Sequence, residues 1–281
     1  MSAQVYLHHY PASLFSEKIR LMLGYLGVPW RSVEISSIMP RPLLMPLTGG
    51  YRKTPTLQIG ANVFCDTAVI TAGLIRHTDD ETLFAPGFSA HRVAEWADST
   101  LFRTTVALNF RPEAISGFMS RLSPEEVVAF QADRAELAGD APMVSLPAEA
   151  AMNAFMAYLQ QLDESLGADY LFGSAPSVAD FAVYHCLWFI AQNAANAPLL
   201  KPFGAVSGWM ARMADFGHGE ATEATAEAAL QHALESEPSA PDLTQVELCG
   251  VAPGDAVAVT PTDYGRVPVT GTLVAASAAE V

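Results

Sequence analysis

The chain has 281 residues, of which 51% are apolar and 16% charged, enough to bury two cores and leave a remainder. Fifteen Lys and Arg stand against thirty Asp and Glu, a net charge of −15, which argues against nucleic acid and anionic membrane as partners because phosphate contacts need clustered cations. The longest apolar-rich stretch, Phe181 to Ala191, is too short to span a bilayer, and Met1 to Gln4 runs straight into a strand pattern rather than a signal sequence, so a cytoplasmic protein is expected. Val5 and Leu7 alternate with Tyr6 and His8, which predicts a strand over Gln4 to Tyr10. Phe15, Ile19, Met22, Leu23 and Leu26 then fall on one helical face, ended by Gly27 and Pro29. Trp30 to Ile35 reads as a second strand, and Ser36 to Gly50, with three prolines, as an irregular connection. Thr56 to Ile59 and Asn62 to Phe64 read as a hairpin across Gly60-Ala61, and Thr67 to Arg76 as a helix. A β-α-β-(α)-β-β-α order packs as a small mixed sheet with helices on its faces, the thioredoxin arrangement.

The pattern breaks at 79–88, and from Ser89 the text turns helical and Ala-rich. Helices are expected over about 89–106, 123–137, 148–166, 177–193 and 202–214, with Ser177-Val178-Ala179-Asp180 capping the most apolar one at the centre of an all-α domain. Glu220 to Glu237 reads as a further polar helix. After Pro238 come short β-like runs at Thr244 to Leu248, Ala256 to Thr260 and Gly271 to Ala275, a tail too short for a core of its own. The expected division is therefore a domain over 1–78, a linker over 79–88, an all-α domain over 89–237 and a β-like extension over 238–281.

Charge is unevenly placed: residues 1–80 carry seven Lys and Arg against five Asp and Glu, and 81–240 seven against twenty. A small anionic ligand would prefer the first segment. Within it, Pro55 stands between a Gly-rich loop and a strand, where a cis Thr54-Pro55 bond would turn the Thr54 backbone outward as an unpaired donor and acceptor, able to pair with a peptide. Asp66-Thr67 opens a helix whose free N–H groups favour a carboxylate, while Asp66 can hold an ammonium. Together these features read as a site for a thiol tripeptide. Cys65, Cys186 and Cys249 are too scattered for a disulfide framework or a metal cluster and are expected as buried apolar side chains. The adjacent His8 and His9 point to opposite faces of a strand and cannot share a metal, so no metal is expected.

Tyr10-Pro11-Ala12-Ser13-Leu14-Phe15-Ser16-Glu17-Lys18-Ile19-Arg20 resembles the first motif of cytosolic glutathione transferases of the Ser/Cys type (tau, zeta and omega-like), S/C-P-F-S-x-K-V-R. Thr54-Pro55 resembles their cis-Pro turn, Asp66-Thr67 their Glu/Asp-Ser pair, and Gly173 to Asp180 their G-x3-S/T-x-A-D capping box; the likeness spans roughly residues 4–215. It implies a thioredoxin-like N-terminal domain plus an all-α C-terminal domain, a cytoplasmic homodimer pairing the first domain of one subunit with the second of the other, and glutathione as co-substrate. It also implies that Ser13 activates the glutathione sulfur, that Thr54, Pro55, Asp66 and Thr67 bind the tripeptide, and that Arg41 and Lys53, with Arg52 as an alternative, lie near its glycyl carboxylate. Leu14 departs from the family proline. The competing reading of Ser13 is a plain helix N-cap; Tyr10 and His9 could reach the same space, though the strand-end tyrosine of other transferase classes would fall near His9, which speaks against a tyrosine mechanism. Phe102, Arg103, Phe110 and Trp96 are candidates for an acceptor pocket or for core packing.

The activity so implied is addition of a glutathione thiolate to a small electrophile. Two alternatives share the residues: a non-catalytic protein-interaction module that keeps the fold, and a glutathione-dependent isomerase or dehalogenase. The module predicts that Ser13→Ala leaves function intact while loss of 241–281 abolishes it.

Overall fold

All five residues of β1 (Val5–His9) are buried, so this strand is covered on both faces. The computed structural model describes residues 4–120, 122–139, 141, 146–239, 250–277 and 279–281. Helix α1 (Leu14–Tyr25) leads from β1 to its parallel neighbour β2 (Trp30–Glu34); a single turn, α2 (Met45–Thr48), interrupts the following loop. Strand β3 (Thr56–Ile59) runs antiparallel on the other side of β1, with Leu57 opposite Leu7, and hairpins into β4 (Asn62–Cys65) ahead of α3 (Thr67–Thr78). One face of the sheet is sealed by apolar packing: Ile19, Met22 and Leu23 of α1 and Ile70 and Leu74 of α3 join Leu7 and Leu57 in a common core.

The second domain is helical. Helix α4 (Phe88–Trp96), a wider turn at Ala97–Leu101 and α5 (Phe102–Asn109) form one continuous rod. They are followed by α6 (Pro112–Met119), α7 (Pro124–Ala138), α8 (Ala148–Ser165), α9 (Val178–Ala191) and α10 (Gly204–Ala214). Helix α9 is buried along Val178 to Leu187, as its apolar sequence requires, and packs on α1, which joins the two domains. Its start is fixed by Asp180, whose carboxylate accepts from the Ser177 backbone N–H at 2.8 Å, Leu171 N–H at 2.9 Å and Trp209 Nε1 at 2.9 Å.

Beyond α10 the chain returns to the first domain. The expected helix at 220–237 is instead a strand, β5 (Ala221–Glu223), and a helix, α11 (Ala226–Glu235). Strand β5 pairs in parallel with β2, so the sheet order is β4-β3-β1-β2-β5. Helix α11 covers the second sheet face, where its Ala229 packs with Tyr6 and Val33. The return passes so close to α1 that a Cβ on Gly24 would lie 2.2 Å from the Gly217 carbonyl oxygen, so only glycine fits there.

Among the described residues beyond α11, β6 (Ala256–Val259) and β7 (Val269–Thr272) form an antiparallel hairpin, and this part docks on the first domain. Asn62 donates to Ser239, Lys53 pairs with Asp263, Arg76 holds Glu280 through two bonds of 2.7 and 2.8 Å, and Leu273, Ala275 and Ala276 are buried. The run predicted at Thr244 to Leu248 and Cys249 lie outside the described residues. Cys186 is buried and Cys65 half-buried; burial pushes the Cys65 thiol up to about 12 and Cys186 higher than usual, which keeps both protonated.

Candidate functional site

Strand register brings three separated segments to one end of the sheet. His8 lies opposite Thr56, and Thr56 opposite Cys65, so the loop after β1, the turn before β3 and the residues after β4 are neighbours. Ser13, Thr54-Pro55 and Asp66-Thr67 occupy these positions. The Thr54-Pro55 bond is cis, and among the described residues Thr54 makes no backbone hydrogen bond, leaving a donor and an acceptor where Thr54 lines a cleft.

Ser13 is both N-cap and cleft residue. Its extended backbone (φ −75°, ψ 117°) starts α1, and its Oγ accepts from Ser16 N–H at 3.2 Å. Accepting that bond leaves the hydroxyl proton available, and among the described residues nothing takes it. The residue is 3% exposed and lines the cleft at the positive end of α1. Tyr10 and Leu14 line it too. His9 does not: its Nδ1 accepts from Arg20 Nη1 at 3.0 Å and its Nε2 contacts Ser32 Oγ at 2.8 Å, inside the fold. Burial, then the Arg20 guanidinium, lowers its pKa to about 4.

The cations at this end are largely engaged. Arg41 donates from Nε to Ser36 O at 2.9 Å and from Nη1 to Arg52 O at 2.8 Å and Thr54 Oγ1 at 2.9 Å. Its Nη2 joins none of these bonds. Arg52 pairs with Asp133 and Glu136 of α7, and Lys53 with Asp263, with the Lys53 ammonium 4.3 Å from the centroid of the Tyr264 ring. All three cations line the cleft.

Asp66 and Thr67 are outside the cleft lining but adjoin it through the register above. Asp66 is exposed, caps α3 by accepting from Ala68 N–H at 2.9 Å, and has φ 77° and ψ 134°, a region that costs a side-chain-bearing residue about 1–3 kcal/mol. Such strain concentrates at binding sites. Thr67 is buried and accepts from Lys18 Nζ at 3.3 Å. Lys18 also meets Asp98 Oδ2 at 2.6 Å, and Asp98 Oδ1 meets His185 Nε2 at 2.9 Å, so a buried polar chain runs from Thr67 of the first domain to α9 of the second. Burial alone would raise the Asp98 carboxyl, but Lys18 and His185 together hold it below its usual value. Burial lowers the His185 pKa, with Asp98 opposing it.

The cleft measures about 760 Å³ and has one wall from the loops just described and one from helices α5, α6, α7 and α9. Phe102 and Phe110 line it; Trp96 instead lines a separate apolar hollow of about 80 Å³, and Arg103 faces neither. Sequence reasoning missed Asn109, Glu113, Gln192 and Tyr264, which also reach the cleft. Their only signal was a polar residue at a helix end or an aromatic in a turn. Among the described residues no three His, Cys, Asp or Glu side chains cluster to hold a metal, and no helix is long and apolar enough to cross a membrane.

Residues 7–82 match the N-terminal domain family of glutathione S-transferases and residues 132–212 the C-terminal domain family. A solved structure of a GST-like protein from Pseudomonas syringae is 38% identical over 99% of this chain and 89% of its own, with a TM-score of 0.80. The chain belongs to the glutathione transferase superfamily. Two more distant transferases share the fold: a tau-class enzyme from mango, Mangifera indica (13% identity, 83% of this chain and 98% of that one, TM-score 0.55), and a theta-class enzyme from Xanthomonas axonopodis pv. citri with glutathione bound (18%, 76% and 93%, 0.52). Among curated proteins none matches. In this member of the superfamily the matched segments contain Ser13, Thr54 and Asp66, whereas β5, α11 and the β6-β7 hairpin follow the second match; the Pseudomonas likeness extends over them.

Proposed function

We propose that the protein is a cytoplasmic, homodimeric glutathione transferase of the serine type that ionises the glutathione thiol at Ser13 and adds it to a small uncharged electrophile. The observation that carries this reading is Ser13 itself: a hydroxyl at the cleft surface, already accepting a backbone bond and so disposed to donate, at the positive end of α1. A donated hydrogen bond and a helix terminus both favour thiolate over thiol. Lowering a thiol pKa from about 8.5 by one to two units corresponds to roughly 1.4–2.7 kcal/mol of differential stabilisation, enough to make thiolate abundant near neutral pH.

The remaining contacts fit a tripeptide. The free Thr54 N–H and C=O beside cis Pro55 match the two sides of a peptide unit. Asp66 offers a carboxylate to the glutamyl ammonium, and the α3 N-terminus at Thr67 offers N–H groups to its carboxylate. Arg41, through Nη2, and Lys53 are assigned to the glycyl carboxylate; the Lys53 ammonium has three donors, so its pair with Asp263 leaves capacity. The thiolate sulfur attacks the electrophilic carbon, a C–S bond forms, the leaving group departs with its electron pair, and the thiol proton passes to water.

An ultraviolet titration of bound glutathione tests the reading. Thiolate absorbance is expected to develop below about pH 8, whereas free glutathione ionises near its ordinary thiol value. Bound tripeptide that stays protonated up to that pH would leave a binding module and remove the enzyme.

A further inference from the structure

The matched family segments end at residue 212, yet part of the cleft wall comes from more than fifty positions later in the chain. Tyr264 makes it, held in place by its neighbours Asp263 and Gly265. Asp263 pairs with Lys53 in the loop before β3. Tyr264 stacks on Phe102 of α5 with ring centroids 6.2 Å apart and planes 27° from parallel, and lies under the Lys53 ammonium. Gly265, at φ +61°, closes on α7, where a Cβ would lie 2.9 Å from Leu137 Cδ1. The turn therefore touches the first domain and two helices of the second across one cleft.

The turn is seated by its own contacts on Lys53, Phe102 and Leu137. Downstream of it, Val269 sits so close to Gly49 that a Cβ there would lie 2.8 Å from its Cγ1, and Glu280 is gripped by Arg76.

We propose that Tyr264, seated by the Asp263-Tyr264-Gly265 turn, is a wall of the acceptor side of the cleft and determines specificity by selecting planar, uncharged aryl groups. The inference rests on the glutathione reading of the site and names the acceptor that reading leaves open. Phe15 and Phe102, 4.9 Å apart, continue the aromatic surface from Tyr264 toward Ser13. Flat π-faces reward an electron-poor ring with offset stacking that a flexible alkyl chain does not obtain. The Lys53 ammonium beside the ring is already assigned to Asp263 and the glycyl carboxylate, so it is not left to draw an anionic acceptor to this wall.

The test compares three ligands by calorimetric titration: glutathione, S-hexylglutathione and S-(dinitrophenyl)glutathione, each against the full chain and its Tyr264→Ala and Tyr264→Phe variants. Tyr264→Ala is expected to weaken the dinitrophenyl conjugate about tenfold, equivalent to about 1.4 kcal/mol, while glutathione and the hexyl conjugate change by less than about twofold. Tyr264→Phe is expected to keep wild-type preference. Should Tyr264→Ala fail to fold, Tyr264→Leu, which keeps bulk and removes the π-face, is expected to show the same selective loss. An equal loss for all three ligands, or an unchanged preference for the aryl conjugate, overturns the proposal while leaving glutathione binding in place. Absence of glutathione binding to the wild-type chain is a different result: it removes the underlying reading and the acceptor wall with it.

Discussion

Replacing Lys18 by Met should unfold the joint between the two domains from the inside. The Lys18 side chain is 1% exposed, and its ammonium holds Asp98 Oδ2 at 2.6 Å and Thr67 Oγ1 at 3.3 Å. Methionine fills nearly the same volume, so the cost is electrostatic rather than steric. Removing one partner of a buried pair costs about 3–5 kcal/mol because the other charge stays behind uncompensated. Here Asp98 keeps His185, and its side chain is 23% exposed, which places the loss near the lower end, about 3 kcal/mol. That is a large fraction of the roughly 5–15 kcal/mol that holds a typical domain. The assay is urea unfolding followed by circular dichroism at neutral pH for wild type, Lys18→Met, Asp98→Asn and the double variant. The double variant should recover most of the loss, since it removes the stranded charge. The sign of the pH dependence follows from the depressed Asp98 carboxyl: its contribution is complete above the unfolded value of about 3.9 and is lost as pH falls through the folded one. The two stability curves should therefore converge in acid. A loss below about 1 kcal/mol, or a double variant no more stable than Lys18→Met, would refute the assignment of this chain of groups as the interdomain joint.

Ser13→Ala should lower kcat/KM for a chlorodinitrobenzene acceptor about 10- to 100-fold, the kinetic equivalent of the thiol stabilisation above, and cost about 1 kcal/mol in stability from the lost cap. Comparing steady-state rates with melting curves separates the two effects. Asp66→Asn should weaken glutathione binding about tenfold in calorimetry with little change in Tm, because asparagine also caps helices and tolerates positive φ while the charge-assisted bond is gone. His9 is neutral in the fold to about pH 4, whereas the unfolded residue titrates near 6.5. The unfolded state thus binds the extra proton between these values, and stability falls as pH drops through the window by up to about 3 kcal/mol. His9→Gln should flatten that part of the profile in acid denaturation.

The parts of the fold written in short-range pattern were legible. Alternation at Val5 to His8, the apolar face of α1 and the Ser177-Asp180 cap of α9 each place their element within a residue or two. What could not be read depends on partners far away in the chain. Strand β5 is three exposed residues, Ala221 to Glu223, with no alternation to announce it; its reason to be extended is the free edge of β2. Helix α6 carries little helical signal in the sequence, because Gly117 and Ser116 weaken its propensity over only eight residues. At the candidate site, Ser13 and Thr54 stand in short local patterns, the start of the first helix and a prolyl turn, and the structure brings both to the cleft. Lys53 was legible as a cation near that turn, but its partner Asp263 is 210 positions away, beyond the reach of any spacing rule. His9 looked available at a strand end; Arg20 and Ser32 turn it inward.

The return of the chain to its first domain also orders events during synthesis. Trp30 Nε1 finds its acceptor, the His218 carbonyl, 188 positions downstream, and Gln58 finds the Ala229 carbonyl 171 positions downstream. At translation rates of about 5–20 residues per second, the sheet emerges roughly 8–34 seconds before β5 and α11 exist to complete it. Throughout that interval β2 offers an unpaired edge and Tyr6 and Val33 an open apolar face, the two features that recruit stray strands and chaperones. The domain made first on the ribosome is thus the last to be finished.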